Sequence, residues 1–548
     1  MAMSKHEGNT PELIDVAVVG GGISGVYSAW RLARDVLHPE LGERLTVHLF
    51  ESSGRIGGRL ETVALGDSGQ RVDVGAMRFF PGQRLVSSLF QALELPTVPF
   101  PSEQLRRLYL RGVLLTPAEL ARYPDRLPYR LVGEERGKSP FVLLQYVIQL
   151  ILPNAFELSP SQWEEAKKSC TVNGVPLWQL GFWNLLDQMV SGEAYDYLLN
   201  TIGIDSLLSN WNAGEALQLL CFVLKQFQEA EAKGTPPTLA PGEGFQSLAL
   251  TLAERFVSSK KTKLLLRHRL VSVERVRPSR EHHGLELRFE LRDEADRPIG
   301  EKRVHASHVI LAMPKRALEL VGQKSPELDT PEVRTLLATV KSEPAYKLYM
   351  SYGQSWWNTL GFGPGNSVTD VPLRQVFYGM AVGDSNAPVL LASYTDMDGV
   401  SFWKGLAPLA TNRMQQFLEQ QRGMEHETFG SPGLAETLTP LANVVQRHLG
   451  EMHGMKYVPP PRGLVYRDWT EEPYGGGWHS WNPYVEVAGV IGRMRRPVPD
   501  LNLYVCGEAY SSMQGWVEGA LRSAELVLQN GLRLHRPDWL PADVDLGV

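Results

Sequence analysis

The sequence predicts an α/β protein in which a parallel-sheet domain, assembled from separated pieces of chain, surrounds a second, mixed sheet and a helical insertion. Three observations carry this reading. The Val-rich run Leu13–Val19 passes through glycines into a helical stretch and then a second β-type run, Leu45–Phe50, which makes a strand–helix–strand unit. Runs of the same kind return at Lys263–Val276, Val309–Ala312 and Leu503–Cys506, the last followed by a helix over Trp516–Gln529. Between them, residues 101–235 show helical spacing with few β-branched runs, whereas Lys347–Tyr352 and Val389–Tyr394 mark a separate sheet.

Bulk properties narrow the function classes. A chain of 548 residues is long enough for two or three cores, and 43% apolar with 21% charged residues is ordinary for a folded protein. A formal net charge of −6 argues against a nucleic-acid partner, which calls for a basic surface. The three cysteines, Cys170, Cys221 and Cys506, have neither metal-ligand spacing nor a disulfide framework, which points to a reducing compartment and to no bound metal. The start, MAMSKHEGNTPELI, lacks the apolar core of a secretory signal. The most apolar stretch, Phe141–Leu152, is interrupted by Gln145 and Gln149 and is shorter than the ~20 residues of a membrane span. It reads as a buried helix, and the expected location is the cytoplasm.

The glycine-rich element comes first in the chemistry. Gly20-Gly21-Gly22-Ile23-Ser24-Gly25 has the G-x-G-x-x-G spacing between a strand and a helix. Gly20 serves the tight turn, Gly22 admits a pyrophosphate to the backbone, and Gly25 lets helix and strand pack. The N–H groups at Ile23 and Ser24 then face the phosphates. Glu51 ends the second strand, where a carboxylate can bind ribose hydroxyls. It falls later than the usual offset, and the polar loop His38–Arg44 absorbs the extra length. Gly54-Arg55-Ile56-Gly57-Gly58-Arg59 follows, with glycines for close approach and an arginine that can fork onto phosphate. Together these define a Rossmann-like dinucleotide site.

With Glu51 through Gly57-Gly58-Arg59, Val309-Ile310-Leu311-Ala312-Met313-Pro314, and Gly507-Glu508 through Gly515-Trp516-Val517-Glu518-Gly519-Ala520, the chain resembles the flavin-containing amine oxidases over nearly its whole length. The resemblance implies FAD as cofactor. Glu51 would hold the adenosine ribose, Arg59 the pyrophosphate region, the Val271 backbone the adenine, and Glu508, after Gly507, the ribityl or pyrophosphate portion through bridging donors. Gly75, Ala76, Met77, Trp478 and Val517 would also lie against the cofactor. In the monoamine oxidases a cysteine attaches to the flavin; here Tyr474-Gly475-Gly476-Gly477-Trp478-His479 puts Trp478 at that place, which implies non-covalent FAD. His479 could serve as a base, but a histidine in a packed turn is more often structural, and it is left unassigned.

Within that family the chain is most similar to the L-amino-acid oxidases. Gly75-Ala76-Met77-Arg78 matches an element whose arginine holds the substrate carboxylate, a task suited to a planar guanidinium. Leu373-Arg374-Gln375-Val376-Phe377-Tyr378 resembles the segment that supplies a tyrosine hydroxyl to the same carboxylate. Trp516 would face Tyr378 across the substrate, with the Gly515 carbonyl on the amine, and Lys347 would reach flavin N5 through a water. The implied reaction is oxidative deamination of a free L-amino acid with dioxygen, giving 2-oxo acid, ammonia and hydrogen peroxide. Such proteins commonly pair, so a homodimer or higher homo-oligomer is expected.

The rival readings are a flavin amino-acid monooxygenase of the tryptophan type, with an amide product, and a non-catalytic binding protein on the same fold, as in the Rab GDP-dissociation inhibitors. The expected division is FAD-binding at 13–80, 236–325 and 461–535, substrate domain at 81–100 and 326–460, and helical domain at 101–235.

Overall fold

The computed structural model describes residues 11–34, 45–66, 69–101, 107–258, 260–276, 284–406 and 432–547, with side chains omitted over 432–439. The loop His38–Arg44 therefore lies outside the described residues, as does 407–431 of the expected substrate domain.

The first sheet joins distant pieces of chain. Its order is Thr262–Leu265, Val47–Phe50, Glu12–Val19, Pro298–Leu311, Leu285–Arg292 and His268–Arg275, and Leu503–Val505 pairs with Pro298–Leu311. Glu12–Val19 runs parallel to both Val47–Phe50 and the end of Pro298–Leu311, with Val19 opposite Phe50 and Leu311. These central strands are apolar on both faces because helices cover both. Ile23–Arg34, Gln246–Phe256 and Val517–Leu526 pack on one side, around Val18, Tyr27, Leu252 and Leu521. Lys315–Gly322, Pro331–Leu337 and Val487–Arg495 pack on the other.

The second sheet is mixed: Gly463–Asp468, Ala345–Ser351, Val389–Asp396, Gln375–Tyr378, Gly365–Thr369, Arg107–Leu110 and Val113–Leu115. The last two strands correct the sequence reading, which placed 107–115 in the helical insertion. Arg111 and Gly112, both at positive φ, turn the chain between them. The strands are short and Leu-rich, so their period-2 pattern is lost against helical neighbours. Gly463–Asp468 likewise belongs to this sheet, although the sequence reading assigned 461 onward to the FAD-binding domain.

Helices from Pro117–Arg122 to Ala213–Lys233 form the insertion, with a core that includes Leu144, Leu186, Tyr197 and Leu217. Their ends are written locally. Ser139 and Ser159 cap helices that start with proline, and Gly203 and Gly234 close helices in the left-handed region. Pro140–Ile151 buries Leu143, Leu144, Val147 and Ile148 but leaves Val142 and Leu150 half exposed, so it is a docked helix and not a fully buried one. Among the described residues no helix is long and apolar enough to cross a membrane.

Candidate active site

A cavity of about 890 Å³ runs between the two sheets. One end is built by the glycine turn. A Cβ on Gly20 would lie 2.2 Å from the Ala312 carbonyl oxygen, and one on Gly25 would lie 1.9 Å from that of Gly20; both positions are closed to any side chain. A Cβ on Gly22 would meet nothing within 4 Å, because this residue faces the cavity. The helix Ile23–Arg34 starts here with no acidic residue in its first turn, so its N–H groups and positive dipole end remain available to an anion. Ile23 and Ser24 line the space, whereas Gly25 lies beneath it as the helix–strand contact.

Glu51 accepts from the Gly21 amide at 2.5 Å and the Ser53 amide at 2.8 Å, which fixes its carboxylate at the cavity wall. The strand His268–Arg275 approaches the same end. Its pairing skips Val271, a bulge that takes this backbone out of the ladder, and the neighbouring Arg269 and Leu270 line the cavity in its stead.

The middle of the cavity is organised by Glu508. Its carboxylate accepts from Arg59 Nη1 at 2.8 Å, the His479 amide at 2.8 Å, His479 Nδ1 at 2.9 Å and the Gly515 amide at 2.8 Å. Burial pushes the carboxyl pKa up, but Arg59 and His479 outweigh it and hold the group well below the usual carboxylate range. Arg59 also donates to the Gly477 carbonyl at 2.9 Å. Gly507, Trp478, Gly515, Trp516 and Val517 line this region, and Gly515 sits at φ 80° beside Trp478. The His479 ring is tied to Glu508.

At the far end the second sheet presents Lys347 and Tyr394, directly opposite one another on adjacent strands. Lys347 Nζ donates to the Gly75 carbonyl at 2.6 Å and the Asp73 carbonyl at 3.3 Å, and it lies 5.1 Å from the Tyr394 ring centre. Burial pushes its pKa down, with the Asp73 carboxylate opposing and Arg78 adding to the fall; burial drives the Asp73 carboxyl up. These carbonyl partners were invisible in the sequence. Gly75 is required because a Cβ would come within 1.9 Å of the Arg59 carbonyl oxygen; Gly75 and Ala76 line the cavity, and Met77 points into the core beneath with Phe377 and Tyr349.

Arg78 is half-buried, its guanidinium 5.1 Å from the Phe100 ring centre and 5.7 Å from that of Phe377, and its charge reaches both Lys347 and Tyr394. Trp516 packs on Phe80 with ring centres 5.1 Å apart. Tyr378 is the residue that the structure does not bring to the site. Its hydroxyl bonds Ser367 Oγ at 2.9 Å and His453 Nε2 at 2.8 Å, inside a core with Trp357 and Phe362 on the opposite face of the sheet. Successive strand residues face opposite ways, so Phe377, beside Tyr378 in the chain, is the one turned to Arg78.

Glycine turn, a carboxylate fixed at the cavity wall and a buried arginine–glutamate pair on a two-sheet frame are the features of a dinucleotide-binding protein. A family model described as flavin-containing amine oxidoreductase matches residues 23–431 and 439–528, and the chain belongs to that family. Aplysianin-A of Aplysia kurodai is 28% identical over 554 residues, covering 95% of this chain and 90% of its own. An L-amino-acid oxidase of Mus musculus is 25% identical over 523 residues, covering 93% and 69%. A solved putrescine oxidase with bound putrescine aligns over 96% of this chain and 100% of its own, with TM-score 0.63 and 17% identity, which shows a shared fold.

FAD is thus the cofactor, and the cavity walls fit it. No cysteine lines the cavity; Cys170, Cys221 and Cys506 are free thiols, and burial pushes Cys506 up to about 12. Acid precipitation of the purified protein is expected to release all yellow colour into the supernatant. Colour kept in the pellet would show a covalent bond to another side chain.

Proposed function

We propose that this chain is an FAD-dependent oxidase of free L-amino acids, forming a 2-oxo acid, ammonia and hydrogen peroxide. The supporting observation is Arg78, a cation seated on two rings beside the cavity end marked by Lys347 and Tyr394. A substrate carboxylate complements that charge, whereas a diamine, itself cationic, would meet repulsion.

Bound FAD would supply the acceptor for the hydride of the substrate Cα and the route by which its electrons reach dioxygen. The chain's own part is positioning. Arg78 fixes the carboxylate, and the Gly515 carbonyl and Trp516 hold the amine side, so one hand of substrate presents its Cα hydrogen. Lys347 has three N–H donors; the Gly75 and Asp73 carbonyls take two, which leaves one for a water in the cavity. We place the enzyme in the cytoplasm, a setting that its free thiols fit, and as a homo-oligomer.

A peroxide assay across the proteinogenic L-amino acids, their D-enantiomers and simple amines tests this reading. Peroxide, ammonia and keto acid in near-equal amounts from L-substrates alone are expected. Amide with carbon dioxide would make the enzyme a monooxygenase, and turnover confined to amines without a carboxylate would remove Arg78 from the substrate site.

A further inference from the structure

We propose that Asp73 is a positioning residue for Lys347: its carboxylate anchors the segment whose carbonyls aim the ammonium into the cavity, and its negative charge keeps that ammonium protonated. The inference rests on the reading of Lys347 given above, as the holder of a water in the cavity.

The anchoring is geometric. Asp73 ends the short strand Arg71–Asp73, and its buried carboxylate reaches back toward Thr62 and the start of the helix Gln246–Phe256. One carboxylate oxygen accepts from Thr62 Oγ1 at 2.6 Å, and the Phe245 amide donates to both oxygens, at 3.1 and 3.2 Å. Gly244, at φ 86°, lets the chain come this close, since a Cβ there would lie 2.5 Å from Thr62 Oγ1 and 3.1 Å from Asp73 Oδ1. Pinned from that side, the segment turns three successive carbonyls toward the second sheet. That of Asp73 accepts from the Tyr349 hydroxyl at 2.7 Å and from Lys347 Nζ at 3.3 Å. That of Val74 accepts from Trp469 Nε1 at 2.9 Å, and that of Gly75 from Lys347 Nζ at 2.6 Å. Lys347 thus takes its direction from a backbone that Asp73 holds in place.

The charges around Lys347 leave the rest to Asp73. Its facing residues on the adjoining strands are Tyr394 and Arg467. The pairing with Val389–Asp396 passes from Leu348 opposite Ser393 to Tyr349 opposite Leu391, a bulge at Ala392 that leaves Tyr394 and Leu391 both on the cavity side. Arg467 is a second cation, and the nearby Glu61 is divided between it at 3.3 Å and Arg55 at 3.1 Å. Arg78 is a third cation. Among the described residues no carboxylate pairs with Lys347 directly, and the Asp73 charge alone favours the ammonium against burial and Arg78. The protonation state decides what the cavity meets. An ammonium has three N–H groups, of which the Gly75 and Asp73 carbonyls take two. A neutral amine has only two, so both are consumed and a lone pair replaces the donor that would hold a water.

The test uses the FAD-loaded enzyme and cyanate, a small anion that carbamylates neutral amines, with the extent at Lys347 read by mass spectrometry across the pH range. Asp73→Asn keeps an acceptor for Thr62 and Phe245 but removes the charge, and it is expected to move the Lys347 midpoint about one pH unit lower. The pH dependence of flavin reoxidation by dioxygen, followed by stopped flow, should move in the same direction by the same amount. A purely structural role for Asp73 would lower thermal stability and leave the midpoint in place. A midpoint unchanged or raised in Asp73→Asn would overturn the assignment to Asp73. Should that variant fail to hold FAD, Asp73→Glu, which keeps the charge, must show the wild-type midpoint; a midpoint lowered there would overturn the assignment as well. Lys347→Met that reoxidises at the wild-type rate and pH dependence would overturn the reading of Lys347 itself, a result distinct from the carbamylation midpoint, which decides the part played by Asp73.

Discussion

Replacing Arg78 with methionine is expected to raise KM for a free L-amino acid about a hundredfold while the protein still binds FAD. A charge-assisted, two-pronged contact with a carboxylate is worth about 3 kcal/mol, and every 1.4 kcal/mol is tenfold. Methionine keeps an unbranched apolar side chain but removes the guanidinium that lies over Phe100 and Phe377, so charge and ring contact are lost together. Arg78→Lys should recover only part, since an ammonium cannot fork. A second effect follows from the charges around Lys347. Arg78 helps to push the Lys347 pKa down, so its removal must move that pKa up, and any limb of the pH profile that follows Lys347 should shift to higher pH. Steady-state kinetics from pH 6 to 10 reads both effects; a wild-type KM in Arg78→Met would place the arginine outside the site.

Glu508→Ala is expected to cost more, in cofactor retention and in stability together. The substitution strips Arg59, His479 and the Gly515 amide of a shared acceptor in a buried place, and breaking a buried pair in this way costs about 3–5 kcal/mol. The variant should purify largely without flavin and melt well below the parent. Glu508→Gln retains one acceptor oxygen and should lie between the two. The pH sign follows from the depressed carboxyl. Its contribution to stability is complete above the unfolded carboxylate value and is lost only as pH falls through its much lower folded value, so holoprotein should survive mild acid. FAD content equal to wild type in Glu508→Ala would refute this account.

The glycine turn was legible because its constraint is local: the positions that need a missing Cβ are read from spacing alone. Glu51, Arg59 and Glu508 were legible through their motifs, although the sharing of Glu508 among Arg59, His479 and Gly515 was not. What sequence could not settle was the facing of residues in the second sheet. A single bulge reverses which side chains look into the cavity, and nothing in Ala392 or its neighbours announces one. Tyr378 faces Ser367 and His453 on the far side of its own strand, and nothing in Leu373–Tyr378 marks which face a given residue takes. The polar partners of Lys347 are backbone carbonyls of a distant loop, a kind of contact that leaves no mark on residue type.

The central sheet has one more consequence, for biogenesis. Its strand Pro298–Leu311 pairs with a segment near the start of the chain and with Leu503–Val505, and Glu508 and the helix from Val517 come later still. The flavin pocket cannot close until the ribosome has delivered the chain past Val517, on the order of tens of seconds after Glu12–Val19 has emerged. Until Pro298–Leu311 emerges, the first strand has only Val47–Phe50 of its two parallel partners, and its other Val-rich edge needs shielding from other nascent chains. Truncated products ending before residue 503 should accordingly emerge colourless and prone to aggregate, which makes flavin uptake a late checkpoint on full-length synthesis.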